Sequence, residues 1–196
     1  MTEEFIYNSA DSVSLEPQQE PQFVCYDIVG QENPILTTAL EDFDFSDTSI
    51  NPAEIASRLV ETAKTFNLFG LSANQCGLPH KFCVVGNDDQ YVAFFNPEIL
   101  EYYGDDIVLP ETDISNYGLV LNIKRPKNII VKYITFEGNE NTLRLEGITS
   151  RIVQQQIDRL NGIDFKSKVS KYTLDRKKKS LSKKIKRYVR QNILVK

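Results

Sequence analysis

The sequence is poor in the side chains that most catalytic and metal chemistry needs. Its 196 residues hold one histidine, His80, and three cysteines, Cys25, Cys76 and Cys83. One imidazole cannot build a metal site without help. The odd cysteine count, without C-x-x-C spacing, points to a reduced, intracellular chain rather than a disulfide framework. A site made of Cys76, His80 and Cys83 would still lack a fourth ligand, and free buried cysteine is more often packing than chemistry. No phosphate-binding glycine loop, Ser/His/Asp arrangement or internal repeat occurs. No apolar run approaches the ~18 residues of a membrane span. The start, Met1-Thr2-Glu3-Glu4, lacks the basic opening of a signal peptide. A cytoplasmic chain of one domain, long enough to bury a real core, is expected.

What the chain does have is charge, unevenly placed. Residues 166–196 carry 13 of the 23 Lys and Arg against one acid, Asp175, so the body before them is strongly acidic and the overall −4 conceals both. Such asymmetry suggests a basic arm for an anionic partner. Residues 1–22 are acidic, contain Pro, Gln and Ser, and show no apolar period. They read as a disordered or extended leader, or as an arm that clasps a partner.

Between these ends the periods alternate. Ile55, Leu59, Thr62, Ala63 and Phe66 recur at helical spacing from Pro52 to Leu68, with Asn51 as cap and Pro52 at the first position. Strand-like runs follow at 81–86, 90–96, 129–135 and 141–146. Asn87-Asp88-Asp89 and Glu137-Gly138-Asn139 read as turns. A second helix runs from Gly147 to Leu160, with Val153, Ile157 and Leu160 on one apolar face, Thr149 or Ser150 at its start and Gly162 at its end. The order predicts an α+β domain, mixed short strands around a central helix.

That second helix contains Gln154-Gln155-Gln156-Ile157-Asp158-Arg159-Leu160. Gln155 and Arg159 are four apart and share a side of the helix. In a metallohydrolase of the H-E-x-x-H kind both positions would be histidine, and the residue after the first would be a glutamate. Here the frame reads Gln-Gln-Ile-Asp-Arg.

Over roughly residues 24–165 the chain resembles the peptide deformylase family, whose members remove the formyl group from the N-terminal methionine of new proteins. The family motif G-x-G-x-A-A-x-Q is matched by Leu68 to Gln75, with its first glycine replaced by Leu68. E-G-C-L-S is matched by Glu111-Thr112-Asp113-Ile114-Ser115, placed by counting back from Arg125-Pro126. Q-H-E-x-D-H-L is matched by Gln154 to Leu160. Two further segments fit, Glu32-Asn33-Pro34-Ile35-Leu36 and Phe95-Asn96-Pro97-Glu98-Ile99-Leu100. The resemblance implies the deformylase fold. It also implies three units: the leader at 1–22, a deformylase-like domain at 23–165 and a basic helical extension at 166–196.

The same resemblance implies a divalent metal held by the Cys of the second motif and both His of the third, with a Glu moving protons. Position by position these have become Asp113, Gln155, Arg159 and Gln156. Arg159 has no lone pair to give, and Gln156 exchanges no proton near neutral pH. Two placements of Arg159 stand open: paired with Asp113 where the metal would sit, or turned to solvent. Gly70, Gln75, Glu111, Ile114 and Ser115 are expected to shape a residual pocket, either for a peptide or only as packing and turn residues.

From these substitutions the expected protein is not an enzyme. It is a deformylase-like pseudoenzyme with no cofactor and a lost metal site, acting by binding. The expected partner is a ribosome, another RNA-rich assembly or an acidic protein surface, met by Arg176, Lys177, Lys178, Lys179, Lys183, Lys184, Lys186, Arg187 and Arg190 within 171–196. Leu174, Leu181, Ile185 and Tyr188 mark that helix's apolar stripe. An alternative is a structural or assembly component, such as a recruited bacteriophage virion or tail protein bound to neighbouring subunits. A further alternative is a residual metal-dependent deformylase.

Overall fold

In the computed structural model, residues 25–87 and 90–192 are described. The leader reading for 1–22, the turn residues Asp88 and Asp89, and the last four residues of the tail lie outside them. The elements run α1 (Pro52–Thr65), β1 (Gly70–Ser72), β2 (Phe82–Asn87), β3 (Gln90–Glu111), β4 (Leu121–Ile134), β5 (Glu140–Leu145), α2 (Gly147–Leu160) and α3 (Lys171–Asn192). Short 3-10 turns at Pro34–Thr37, Ala73–Cys76, Ile114–Asn116 and Phe165–Lys168 join them. The strands form one antiparallel sheet in the order β1-β2-β3-β4-β5, which leaves β1 at an edge. Helices and antiparallel strands make the α+β class that the periodicity predicts. Among the described residues, no helix is long and apolar enough to cross a membrane.

The local chemistry explains the helix ends. Asn51 caps α1, its side chain accepting from the backbone of Ala53 at 3.0 Å, with Pro52 at the first position. α1 stops at Thr65, and Asn67 then adopts φ 53°, so the helix is three residues shorter than the pattern to Leu68 suggests. α2 starts at Gly147 with Glu146 before it, which places Thr149 and Ser150 inside the first turn rather than at the cap. Its end follows expectation. Gly162 sits at φ +72°, and the Ile163 N–H returns to the Asp158 carbonyl at 2.8 Å.

Two strands are much longer than the patterns predict. β3 has 22 residues and β4 has 14, because their outer halves pair by backbone ladder while most of β3's side chains stay in solvent. Register shifts fall between Phe95 and Glu98, Ile99 and Glu101, and Tyr103 and Asp106. The first of these leaves Pro97 out of the ladder, which accommodates a proline inside a strand. It also turns Asn96 to φ 47°, where its carboxamide bonds both backbone groups of Phe43, at 2.6 and 2.9 Å.

The sheet has helices against it. α1 packs Ala56, Leu59 and Ala63 with Phe82, Val84 and Phe95. α2 packs Val153, Ile157 and Leu160 with Cys83, Val85, Phe94, Ile129 and Val131. Each such buried aliphatic side chain contributes about 1.5–3 kcal/mol, so α2 is anchored by its apolar face and its polar face is carried to a fixed place. α3 rests on a smaller cluster of Leu119, Leu121, Ile123 and Phe165 through Leu174 and Leu181.

Candidate functional site

The polar side of α2 faces the short strand β1 and the turn after β3. Between them runs a groove of about 360 Å³, lined by Phe69, Gly70, Gln75, Thr112, Asp113 and Gln156 among others. Gly70 makes the approach possible: a Cβ there would lie 2.6 Å from Ile152 Cγ2 and 3.0 Å from Gln156 Nε2. Ile148 and Phe69 stand exposed on its apolar walls.

Arg159 reaches inward. Its Nε donates to Asp113 Oδ2 at 2.8 Å, and both side chains are 1% exposed. Its Nη1 lies 3.4 Å from the Leu36 carbonyl and from Asp164 Oδ2. Of the two placements open from the sequence, the pair with Asp113 is the one formed, and the solvent placement is corrected. Asp113 is further held by Gln75 Nε2 at 3.3 Å and by Asn116 Nδ2, donating to Oδ1, at 3.1 Å. Gln75 is itself fixed, since its Oε1 accepts from the Ser72 backbone and hydroxyl, both at 3.0 Å. Gln155 lies half-buried on the groove wall and donates to the Thr112 carbonyl at 2.7 Å. Gln156 is buried, and its Oε1 has no partner.

Behind this wall lies a buried ionic cluster. Glu111 takes a two-pronged bond from Arg125, at 2.7 and 3.0 Å, and Arg125 also reaches Asp158 at 2.6 Å. Arg151 Nε lies 2.8 Å from the same Glu111 carboxylate, and its other nitrogens bond the Ile107, Leu109 and Ile123 carbonyls. Burial works against charge on Arg125, but its bonds and attraction to Glu111 and Asp158 win, so its pKa is raised. On Arg151 burial dominates and pulls the pKa down, against the partial offset of Glu111.

Of the five residues expected to shape the pocket, Gly70, Gln75, Glu111 and Ile114 line this groove. Ser115 does not. It lines a separate depression of about 460 Å³ with Asn116, Leu119 and the α3 residues Lys178 and Leu181. Arg151 was missed as a wall residue, although 151, 155 and 159 form one i, i+4, i+8 stripe that could have revealed it. Cys76 and Cys83 fall in different core clusters, and among the described residues no group of three or more His, Cys, Asp or Glu is placed to hold a metal ion. His80 packs its ring against Phe43.

The divalent metal that the resemblance implies can be tested against these donors. Asp113 offers one carboxylate already bonded on both oxygens, Gln155 is engaged elsewhere, and the guanidinium of Arg159 is a cation without a lone pair. This set does not fit a divalent cation.

On α3 the basic residues expected to meet a partner, from Arg176 to Arg190, are exposed apart from the half-buried Lys177. Leu174 and Leu181 pack inward, whereas Ile185 and Tyr188 are exposed.

Comparison with known proteins places these features in context. The profile of the polypeptide deformylase family matches residues 25–175. A "peptide deformylase-like" protein of Rickettsia conorii is 30% identical over 165 residues, covering 82% of this chain and 89% of that protein. The peptide deformylase of Dictyoglomus thermophilum is 30% identical over 147 residues, 75% of this chain and 94% of the relative. The crystal structure of the Thermotoga maritima peptide deformylase superposes with a TM-score of 0.70 at 31% identity, covering 75% of this chain and 99% of that one. These matches overturn the expectation of a pseudoenzyme that acts only by binding. They point to an enzyme family and give no support to a ribosome-bound or recruited bacteriophage structural protein, or to lost activity. The four replaced positions, Asp113, Gln155, Gln156 and Arg159, do not by themselves establish that the activity is lost.

Proposed function

The chain belongs to the polypeptide deformylase family, and from that premise we propose that it hydrolyses the formyl amide at the N-terminus of a polypeptide. The observation that carries the reading is the groove between β1 and α2, which ends on a row of amide and carboxylate groups. β1 is an edge strand, so an extended peptide can lie beside it and bond its backbone, as in strand addition. The apolar walls at Leu68, Phe69, Ile148 and Ile152 suit an unbranched apolar side chain next to the amide. Gln75, held in place by Ser72 and Asp113, is a fixed donor for a carbonyl laid in the groove. Gln75, Gln155 and Gln156 orient rather than titrate.

Without the ~9 pK units by which a metal lowers the pKa of bound water, turnover is expected to be slow. The test is formate release from formyl-Met-Ala-Ser by purified protein, with and without chelator. Release above the protein-free rate, insensitive to chelator and reduced by Gln75→Ala, supports the reading. Formate at background with the peptide bound overturns it.

A partner for α3 is a second, separate proposal. Its exposed basic side chains suit a polyanion, and the partner we propose is RNA. Affinity for a short RNA that falls steeply with salt and disappears on removal of residues 171–196 supports this; a salt-independent or absent interaction counts against it. With three unpaired cysteines, the cytoplasm is the proposed location.

A further inference from the structure

The depression of about 460 Å³ beside α3 has no part in the proposed hydrolysis. The turn after β3 forms one wall with Tyr117, and α3 forms the other with Lys178, Leu181 and Ile185. Leu119 and Leu181 belong to the apolar cluster beneath. Leu181, Ile185 and Tyr188 stand at i, i+4 and i+7, so one apolar stripe leaves the depression and continues along the helix. Ile185 is 54% exposed, Tyr188 65% and Tyr117, on the facing wall, 89%. An exposed apolar surface of this extent, rimmed by charge, is the mark of a contact site. The rim has one sign, since α3 carries ten Lys and Arg against Asp175 alone.

The complement of such a surface is an acidic segment with a short apolar run, and the chain carries one. Residues 1–22 hold Glu3, Glu4, Asp11, Glu16 and Glu20 and no Lys or Arg. Their longest apolar run, Phe5-Ile6-Tyr7, follows directly on Glu3-Glu4. The geometry allows a return to α3. The described chain starts at Cys25, whose Sγ lies 3.2 Å from Thr65 Oγ1, and Gln31 already lines the depression. Six residues span at most about 20–22 Å, so Cys25 lies within that distance of Gln31. Residues 8–24, between Tyr7 and Cys25, can span up to about 60 Å, well beyond what the return needs.

We propose that residues 3–7 dock on this chain's own depression and α3, with Phe5, Ile6 and Tyr7 against Tyr117, Leu119, Leu181 and Ile185. Glu3 and Glu4 then meet Lys178 and the basic residues beside it. The acidic segment thereby covers part of the surface that α3 offers to a polyanion and competes for it. Only this competition rests on the reading of α3 as an RNA contact; the docking does not.

The test is carbodiimide cross-linking of the full chain, which joins a carboxylate to a touching amine without a spacer, read by mass spectrometry. In a mixture of isotope-labelled and unlabelled protein at low salt, Glu3 and Glu4 are expected to link to α3 lysines, Lys178 foremost, within one copy. The yield is expected to fall as salt screens the contact. The variant Phe5→Ser/Ile6→Ser/Tyr7→Ser keeps both carboxylates and is expected to lose these links. Ile185→Ser, at an exposed position, is expected to weaken them from the other side. A tethered segment acts at an effective concentration of order mM, so the triple variant is expected to bind an oligouridylate about two- to tenfold more tightly than wild type. Links spread equally to Lys124 and Lys132 of β4, links between copies, no links, or links unchanged in the triple variant would each overturn the docking. An RNA affinity unchanged in the triple variant would overturn the competition. Where no RNA binds, the links alone decide the docking, and the RNA reading of α3 falls separately.

Discussion

Replacing Arg159 by methionine tests how the site is held together. The substitution keeps an unbranched apolar stem but removes the charge. It leaves Asp113, whose side chain is 1% exposed, with only the neutral donors of Gln75 and Asn116. Removing one partner of a buried ion pair typically costs about 3–5 kcal/mol, because the remaining charge is stranded away from water. For a chain of this length, each kcal/mol shifts the melting temperature by about 2–4 °C, so a fall of about 6–20 °C is expected. The double variant Asp113→Leu/Arg159→Met removes both charges and is expected to recover most of that loss, since apolar pairs often replace buried ion pairs without penalty. Urea denaturation of wild type, both single variants and the double variant gives the coupling energy directly. A loss below about 1 kcal/mol for Arg159→Met, the range of exposed pairs, or purely additive effects in the cycle, would refute a buried pair that braces the two motifs.

Other perturbations follow from the same geometry. Glu111→Gln weakens the hold on Arg125 and Arg151 together and is expected to destabilise by about 3–5 kcal/mol, read by the same urea transitions. Gly70→Ala places a Cβ 2.6 Å from Ile152 Cγ2, so it is expected to cost about 1–3 kcal/mol and to weaken formyl-peptide binding. Adding Ile152→Ala should relieve part of that stability loss if the clash is its cause. Burial pushes the Cys76 thiol up to about 12 and Cys83 higher still, against 9.0 for a free thiol. Above pH 9 the unfolded chain therefore binds fewer protons than the folded one, and stability falls with rising pH. The contribution is complete below pH 9 and is lost from there upward, at about 1.4 kcal/mol per pH unit for each thiol. Thermal melts between pH 9 and 11 check this, and a Cys76→Ala/Cys83→Ala variant is expected to flatten the slope.

Much of this protein is legible in its residue order because the forces involved are local or periodic. Asn51-Pro52 states where α1 begins, Gly162 where α2 ends, and Val153, Ile157 and Leu160 which face of α2 is buried. The motif segments 68–75, 111–115 and 154–160 name the three pieces that meet at the groove. The outer halves of β3 and β4 were not legible, because their pairing is a backbone ladder with mostly solvated β3 side chains and leaves little apolar alternation. Nor was the separation of Ser115 from its motif neighbours, which follows from the 3-10 turn at Ile114–Asn116 carrying it toward α3.

The sequence by itself determined the elements, the family and the identity of the side chains on the polar side of α2. Only the tertiary structure decided their pairing. A guanidinium four residues from a glutamine can face water or core with equal ease on an isolated helix. Its direction became fixed once the apolar face of α2 was buried on the sheet and Asp113, 46 residues earlier in the chain, was brought within 2.8 Å of Arg159.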